Sequence, residues 1–219
     1  MKILFVVTSH DQIDDQRPTG VYFKEFGIPY RRLKEKGYEL VVASPKGGKA
    51  PIDPKSLPDS EEWREEVAAL ENTVPLQQVT SESFDALFLP GGHGTMFDLP
   101  QNESLAQLLT ELDAAGKVIA AVCHGPAGLV GAVRKDGTPL VKGKRVTSFT
   151  NEEEKAAQLD QQMPFLLESK LRELGAEFIG KANFTEHVEQ DGHLITGQNP
   201  QSSEKIVQLV IETLEAKKN

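Results

Sequence analysis

The 219-residue chain has a single cysteine, Cys123, so no disulfide forms within it and no cysteine-based zinc cluster can be assembled. Long apolar runs are also missing. The opening stretch Met1 to Thr8 is cut short by Ser9-His10-Asp11 with no small-residue cleavage site, and nothing later is long enough to span a bilayer. A cytoplasmic location with no membrane partner is expected by elimination. Basic residues are in deficit: 24 Lys and Arg against 33 Asp and Glu leave a net charge of −9, which repels nucleic acid and anionic lipid. Arg31, Arg32, Lys34 and Lys36 alternate with acidic and apolar residues and read as the wet face of a helix. Aromatics make up only 6%, which gives little support to a large exposed client-binding surface. There is no Walker loop, dinucleotide fingerprint or HExxH motif, so kinase, nicotinamide-enzyme and zincin readings lack a basis.

What is present is an α/β pattern. Hydrophobic residues, 38% of the chain, suffice for a core in one domain spanning residues 1–219. A short apolar run at 2–8 precedes a helical stretch from Tyr22 to Lys36, which Gly37 closes, and Glu39 to Ala43 reads as the next strand. Strand, helix, glycine and strand at this spacing make a βαβ unit. Residues 45–75 break the pattern with Gly47-Gly48, Pro51, Pro54 and Pro58. They read as an insertion, with a charged helix over 61–70 anchored by Trp63, covering one edge of a site or simply packed down on the surface. The alternation then resumes with a strand at 84–89, a helix at 103–115 and a uniformly apolar strand, Val118 to Val122, of the kind covered on both faces. Strands near 145–149 and 193–196 and helices near 162–174 and 202–216 complete a mostly parallel sheet with helices on both faces.

Ligands of such sheets sit beyond the carboxyl ends of the strands. Three polar clusters fall there: Ser9-His10-Asp11, Gly91-Gly92-His93-Gly94 and Cys123-His124-Gly125. A lone cysteine beside a strand is ordinarily a small buried hydrophobe. Here it ends the strand, a His-Gly pair follows, and a helix is expected behind it, whose first amides would lower the thiol pKa and bind an oxyanion. Gly91 and Gly92, on a neighbouring strand end, offer further amides. His10 and His93 can converge on the same cleft, although solvent-facing or structural histidines are commoner. His187-Val188-Glu189 has the spacing of a base and its orienting acid but lies in a polar stretch that reads as an exposed strand.

The runs Leu87-Phe88-Leu89-Pro90-Gly91-Gly92-His93-Gly94 and Ala121-Val122-Cys123-His124-Gly125-Pro126 resemble the ThiJ/PfpI superfamily. The branch of heat-shock chaperones and glutathione-independent glyoxalases is marked by Thr19-Gly20 with Glu25, the insertion, Val146 to Asn151 followed by glutamates, Pro164 to Glu168, and Thr196 to Pro200. The resemblance implies a flavodoxin-like sandwich, a symmetric homodimer, a cysteine at a nucleophile elbow and no metal or organic cofactor. Residue by residue it implies Cys123 as nucleophile, His124 as its partner and Glu25 beside the sulfur. The third triad member is an acid after the Phe-Thr strand, among Glu152, Glu153 and Glu154. Glu153 is chosen because it follows Asn151 by two positions.

The activity implied is conversion of a small 2-oxoaldehyde, methylglyoxal, to lactate through a cysteine hemithioacetal, with Gly92 and His124 amides on the oxyanion and Gly91 and His93 lining the substrate site. Repair of glycation adducts on protein or nucleotide amines uses the same thiol. A holdase chaperone with a redox-sensitive cysteine is a non-enzymatic alternative, and an amidotransferase-like hydrolase would instead draw on His187 and Glu189.

Overall fold

The computed structural model describes residues 1–59 and 61–218. Its centre is a seven-stranded sheet of β1 (Lys2–Val6), β2 (Glu39–Ser44), β3 (Val74–Pro75), β4 (Ala86–Leu89), β5 (Val118–Val122), β6 (Val188–Asp191) and β7 (Leu194–Gly197). The spatial order is β6-β7-β5-β4-β1-β2-β3, parallel except for the β6–β7 hairpin at one edge. Successive side chains alternate between two cores because strand residues point to opposite faces. Leu4, Val6, Leu87, Leu89, Ile119 and Ala121 pack on one side. Ile3, Phe5, Phe88, Ala120, Val122 and Ile195 pack on the other.

The helices are α1 (Phe23–Glu35), α2 (Arg64–Leu70), α3 (Thr95–Asp98), α4 (Glu103–Ala114), α5 (Asn151–Ala156), α6 (Leu167–Glu173) and α7 (Ser203–Ala216). The apolar stripe of α4, Leu105, Leu108, Leu109 and Leu112, covers the first face, and Asn102 caps its start by accepting from the Leu105 amide. On the second face lie α1, through Phe26 and Leu33, and α7, through Ile206, Val210 and Leu214. This is the mostly parallel sheet with helices on both faces that the strand and helix pattern predicts, and the flavodoxin-like sandwich that the resemblance implies. Chain direction across the sheet reverses between β1 and β4, which puts a crevice at their carboxyl ends. Among the described residues no helix is long and apolar enough to cross a membrane.

Several elements differ from expectation. The strand expected over 145–149 is only Arg145–Val146, paired with Glu177–Phe178 outside the main sheet. Beyond it the chain leaves the ladder, with the Thr147 amide donating to Thr196 Oγ1 and the Phe149 amide donating to the Cys123 carbonyl. The helix expected over 162–174 starts at Leu167 because Leu166 is extended, and the Glu168 carboxylate accepts from the Asn151 amide at that junction. Segment 45–75 contributes α2 and the edge strand β3. Trp63 precedes α2, with the Arg31 guanidinium 3.6 Å above its ring and Phe23 edge-on at 5.6 Å. Val188 to Asp191 is half-buried, not exposed.

Candidate active site

Cys123 follows directly on β5 and holds a left-handed backbone, φ +61°. For a residue with a Cβ this costs on the order of 1–3 kcal/mol and persists only where neighbours fix it. Its amide donates to the Gly197 carbonyl at the end of β7, and its carbonyl accepts from Phe149. Behind it Gly125 passes so close to β4 that a Cβ there would lie 2.1 Å from the Leu89 carbonyl oxygen. The turn that follows is a single 3-10 stretch, Gly125–Leu129, instead of the α-helix expected. The predicted lowering of the thiol pKa by a helix N-terminus is therefore not found. Burial, and after it the Glu25 carboxyl, push the Cys123 thiol well up.

Glu25 reaches the sulfur from the first turn of α1 and is completely buried. Burial pushes its carboxyl up to about 8, against the opposing pull of Cys123 and the Gly91 amide. At neutral pH it is an acid that can donate a proton. Neither of its oxygens has a well-formed hydrogen bond in the resting site. Gly91 is tied to this arrangement, since a Cβ on it would fall 2.5 Å from Glu25 Oε1. Among the described residues the amides of Gly92 and His124 donate to no backbone acceptor, and both residues line the same cavity as Cys123.

The acid on His124 is Glu154, not Glu153. His124 Nε2 donates to Glu154 Oε2 at 2.6 Å, which leaves Nδ1 as the acceptor facing Cys123 Sγ at 3.5 Å. The other oxygen, Oε1, accepts from His93 Nε2 at 2.6 Å. Burial alone would raise the Glu154 carboxyl, but His124 first and His93 after it hold it well below the usual carboxylate range. Burial and the neighbouring His124 lower His93, against the pull of Glu154. One potential ligand atom from each of His93, His124 and Glu154 lies within 4.8 Å of the other two, a donor set that a divalent ion can use. Each Nε2 is already committed to its own oxygen of Glu154.

Glu153 has another duty. Thr150 caps α5 by accepting from the Glu153 amide, and Glu153 Oε1 accepts from the Thr150 amide in return, a reciprocal capping box. Oε1 also accepts from Gln198 Nε2, and Oε2 accepts from Asn199 Nδ2 and the Phe184 amide. Its carboxylate pins the end of β7 and the loop bearing Phe184. Glu152 is exposed at the helix start. The spacing Thr150-x-x-Glu153 is itself a capping signature and could have reserved Glu153 for this role.

The site opens into a cavity of about 420 Å³ that Gly92, His93, Cys123 and His124 line together with Tyr22 and Phe149. Asp53, Pro54 and Lys55 line it too, so this part of 45–75 does border the site. His10 does not join it: its ring stacks on Phe97 at 4.6 Å and lines a separate surface depression. His187, just before the edge strand β6, and Glu189 on that strand face each other at 3.2 Å, away from the cavity lining.

Strand ends converging on one strained thiol make this a flavodoxin-like protein built around a cysteine elbow. The DJ-1/PfpI family model matches residues 18–213, and the chain belongs to that family. It is 32% identical to the glutathione-independent glyoxalase hsp3101 of Schizosaccharomyces pombe, over 96% of this chain and 95% of that one. A solved structure 51% identical in sequence, covering 99% of this chain and 98% of its own, superposes with a TM-score of 0.94. The crystal structure of glyoxalase III from Candida albicans is 30% identical, covers 97% of both chains and gives a TM-score of 0.89. A Pseudomonas aeruginosa relative, 27% identical over 90% of this chain and 73% of its own, is named a protein/nucleic acid deglycase.

Proposed function

We propose that the chain is a glutathione-independent glyoxalase that adds water to methylglyoxal and yields lactate. The observation that carries this reading is the placement of one thiol between a protonated acid, Glu25, and an imidazole acceptor, His124 Nδ1. That pair supplies the two proton carriers the rearrangement needs.

As Cys123 sulfur bonds to the aldehyde carbon, the thiol proton passes to His124 Nδ1 and the aldehyde oxygen takes the Glu25 proton. The amides of Gly92 and His124 hold that oxygen while it bears charge. Glu154 steadies the imidazolium through Nε2. The Glu25 carboxylate then removes the hydrogen from the carbon bearing sulfur, and His124 protonates the neighbouring oxygen to give an enediol. Glu25 delivers its proton to the second carbon and recovers one from the first hydroxyl, leaving a thioester. Water, deprotonated by His124, cleaves the thioester, and the sulfur regains its proton. The sum is methylglyoxal plus water to lactate, with no oxidant, reductant or cofactor.

One domain of residues 1–219 with an insertion at about 45–75 carries this activity, as a cytoplasmic homodimer on a small 2-oxoaldehyde. The lone cysteine and the acidic charge of −9 support a reducing, soluble setting. Incubation with methylglyoxal in D2O without glutathione should give lactate that keeps aldehyde hydrogen at its second carbon, because the completely buried Glu25 that removes this hydrogen is the group that returns it. Absence of lactate would overturn the reading, and complete replacement of that hydrogen by solvent deuterium would overturn the proton path. Repair of glycation adducts is a second reading, favoured by the open cavity and the deglycase relative. It requires loss of a preformed adduct with no free aldehyde present.

A further inference from the structure

The cavity is far larger than a three-carbon aldehyde requires. At about 420 Å³ it falls in the roughly 300–1,000 Å³ range of pockets that hold drug-sized ligands. Beyond the reacting groups its lining is largely apolar, with Ile13, Pro18, Phe149, Leu159, Phe184 and Pro200. A line of rings leads outward from the sulfur. His124 faces Phe149 at 4.6 Å and 41°, and Phe149 faces Phe184 at 6.0 Å and 55°.

Phe184 is unusual on two counts. It is a large apolar side chain left 42% exposed, and its backbone is left-handed at φ +55°. Such a conformation in a bulky residue persists only where the surroundings fix it. The clamp is Glu153, fully buried, whose Oε2 accepts from the Phe184 amide at 2.9 Å while its other bonds reach α5 and the turn after β7. A buried carboxyl group thus holds an exposed aromatic ring on the wall of the thiol's cavity. Burying that ring against a substrate's own ring would add apolar area and an aromatic pair that a methyl group cannot provide.

We infer that Phe149 and Phe184 form an aryl subsite and that the enzyme prefers arylglyoxals, 2-oxoaldehydes with an aromatic ring on the keto carbon, over methylglyoxal. The inference rests on the glyoxalase reading above and names its substrate class. The bond changes are the same: sulfur adds to the aldehyde carbon, the hydrogen there moves to the ring-bearing carbon as a proton, and water cleaves the thioester. Phenylglyoxal plus water gives mandelate, with no co-reactant.

The test compares kcat/KM for phenylglyoxal and methylglyoxal in wild type, Phe184→Ala and Phe184→Tyr. Wild type should favour phenylglyoxal on the order of tenfold or more. Phe184→Ala should collapse that ratio by a similar factor, and Phe184→Tyr, which keeps the ring, should retain most of it. Methylglyoxal turnover with no phenylglyoxal preference, or a ratio that Phe184→Ala leaves unmoved, overturns the aryl subsite and leaves the glyoxalase reading standing. Calorimetric binding of mandelate and lactate to Cys123→Ala decides independently of turnover and of the aldehyde's reactivity toward arginine. Mandelate binding that is tighter and depends on Phe184 supports the subsite, even if neither aldehyde is turned over and the glyoxalase reading fails. Equal binding of the two products overturns it.

Discussion

Two adjacent glutamates divide the work at the end of the Phe-Thr run, and a shift of one residue separates a structural role from a proposed chemical one. Glu154 sits between two imidazoles, and Glu153 sits beneath a helix start and two loops. Cys123, His124 and the Gly91-Gly92 pair could be located from sequence because each follows a strand end where side chains converge, whereas Glu25 was indicated only by the family resemblance. Three consecutive glutamates could not be resolved by the same means, because choosing among them depends on the rotation of α5. The capping box fixes that rotation, turning Glu154 toward His124.

The substitutions Glu153→Gln and Glu154→Gln should therefore separate cleanly. Glu154→Gln replaces an acceptor with an amide and removes the charge that fixes the His124 tautomer. Turnover should fall on the order of 10²- to 10⁴-fold with the melting temperature little changed. Glu153→Gln leaves buried donors without an acceptor and should destabilise the fold by about 1–3 kcal/mol. Turnover rates and thermal melts of the two variants check this, and a larger catalytic loss in Glu153→Gln than in Glu154→Gln would contradict it.

At the scale of elements, the long apolar segments were legible and the short polar ones were not. β1, β4 and β5 have uninterrupted apolar runs, and the α4 leucines repeat with helical period, so both cores follow from pattern alone. The two-residue strand β3, the four-residue α3 and the hairpin Gln12–Asp14 with Arg17–Pro18 are held by tertiary contacts and carry too few residues to show a period. The Val146 to Phe149 stretch misleads because its side chains suit a strand while its backbone is drawn away to close over the cysteine.

The placement of Glu25 by α1 has a measurable consequence. Its folded pKa is raised from an ordinary 4.5 to about 8, so between those values the native state holds a proton that the unfolded chain releases. Stability linked to Glu25 is fully present below about pH 4.5 and is lost as pH rises through about 8. Glu25→Gln keeps a neutral side chain of similar shape and is free of this loss. Its melting temperature relative to wild type should climb between about pH 5 and pH 9. A difference that stays level across that range would mean that Glu25 is ionised in the folded protein at neutral pH.

On the scale of the whole molecule, a sheet that reverses its winding between β1 and β4 brings three separate parts of the chain to one point. The first turn of α1 supplies the acid, the end of β5 the thiol and imidazole, and α5 the orienting carboxylate. The order of strands in the sequence already placed Cys123 and His124 beside Gly91 and Gly92, whereas Glu25 followed from the family resemblance and α5 was not expected as a helix. The wall that Phe184 adds was not implied, because a polar loop with one phenylalanine has no pattern to read. The most direct test of the account is lactate formation from methylglyoxal without glutathione, by wild type and Cys123→Ala side by side, with the wild-type thiol titrated as reduced. Lactate from wild type and none from the folded alanine variant is the predicted result; lactate at equal rates from both would contradict the central role of Cys123.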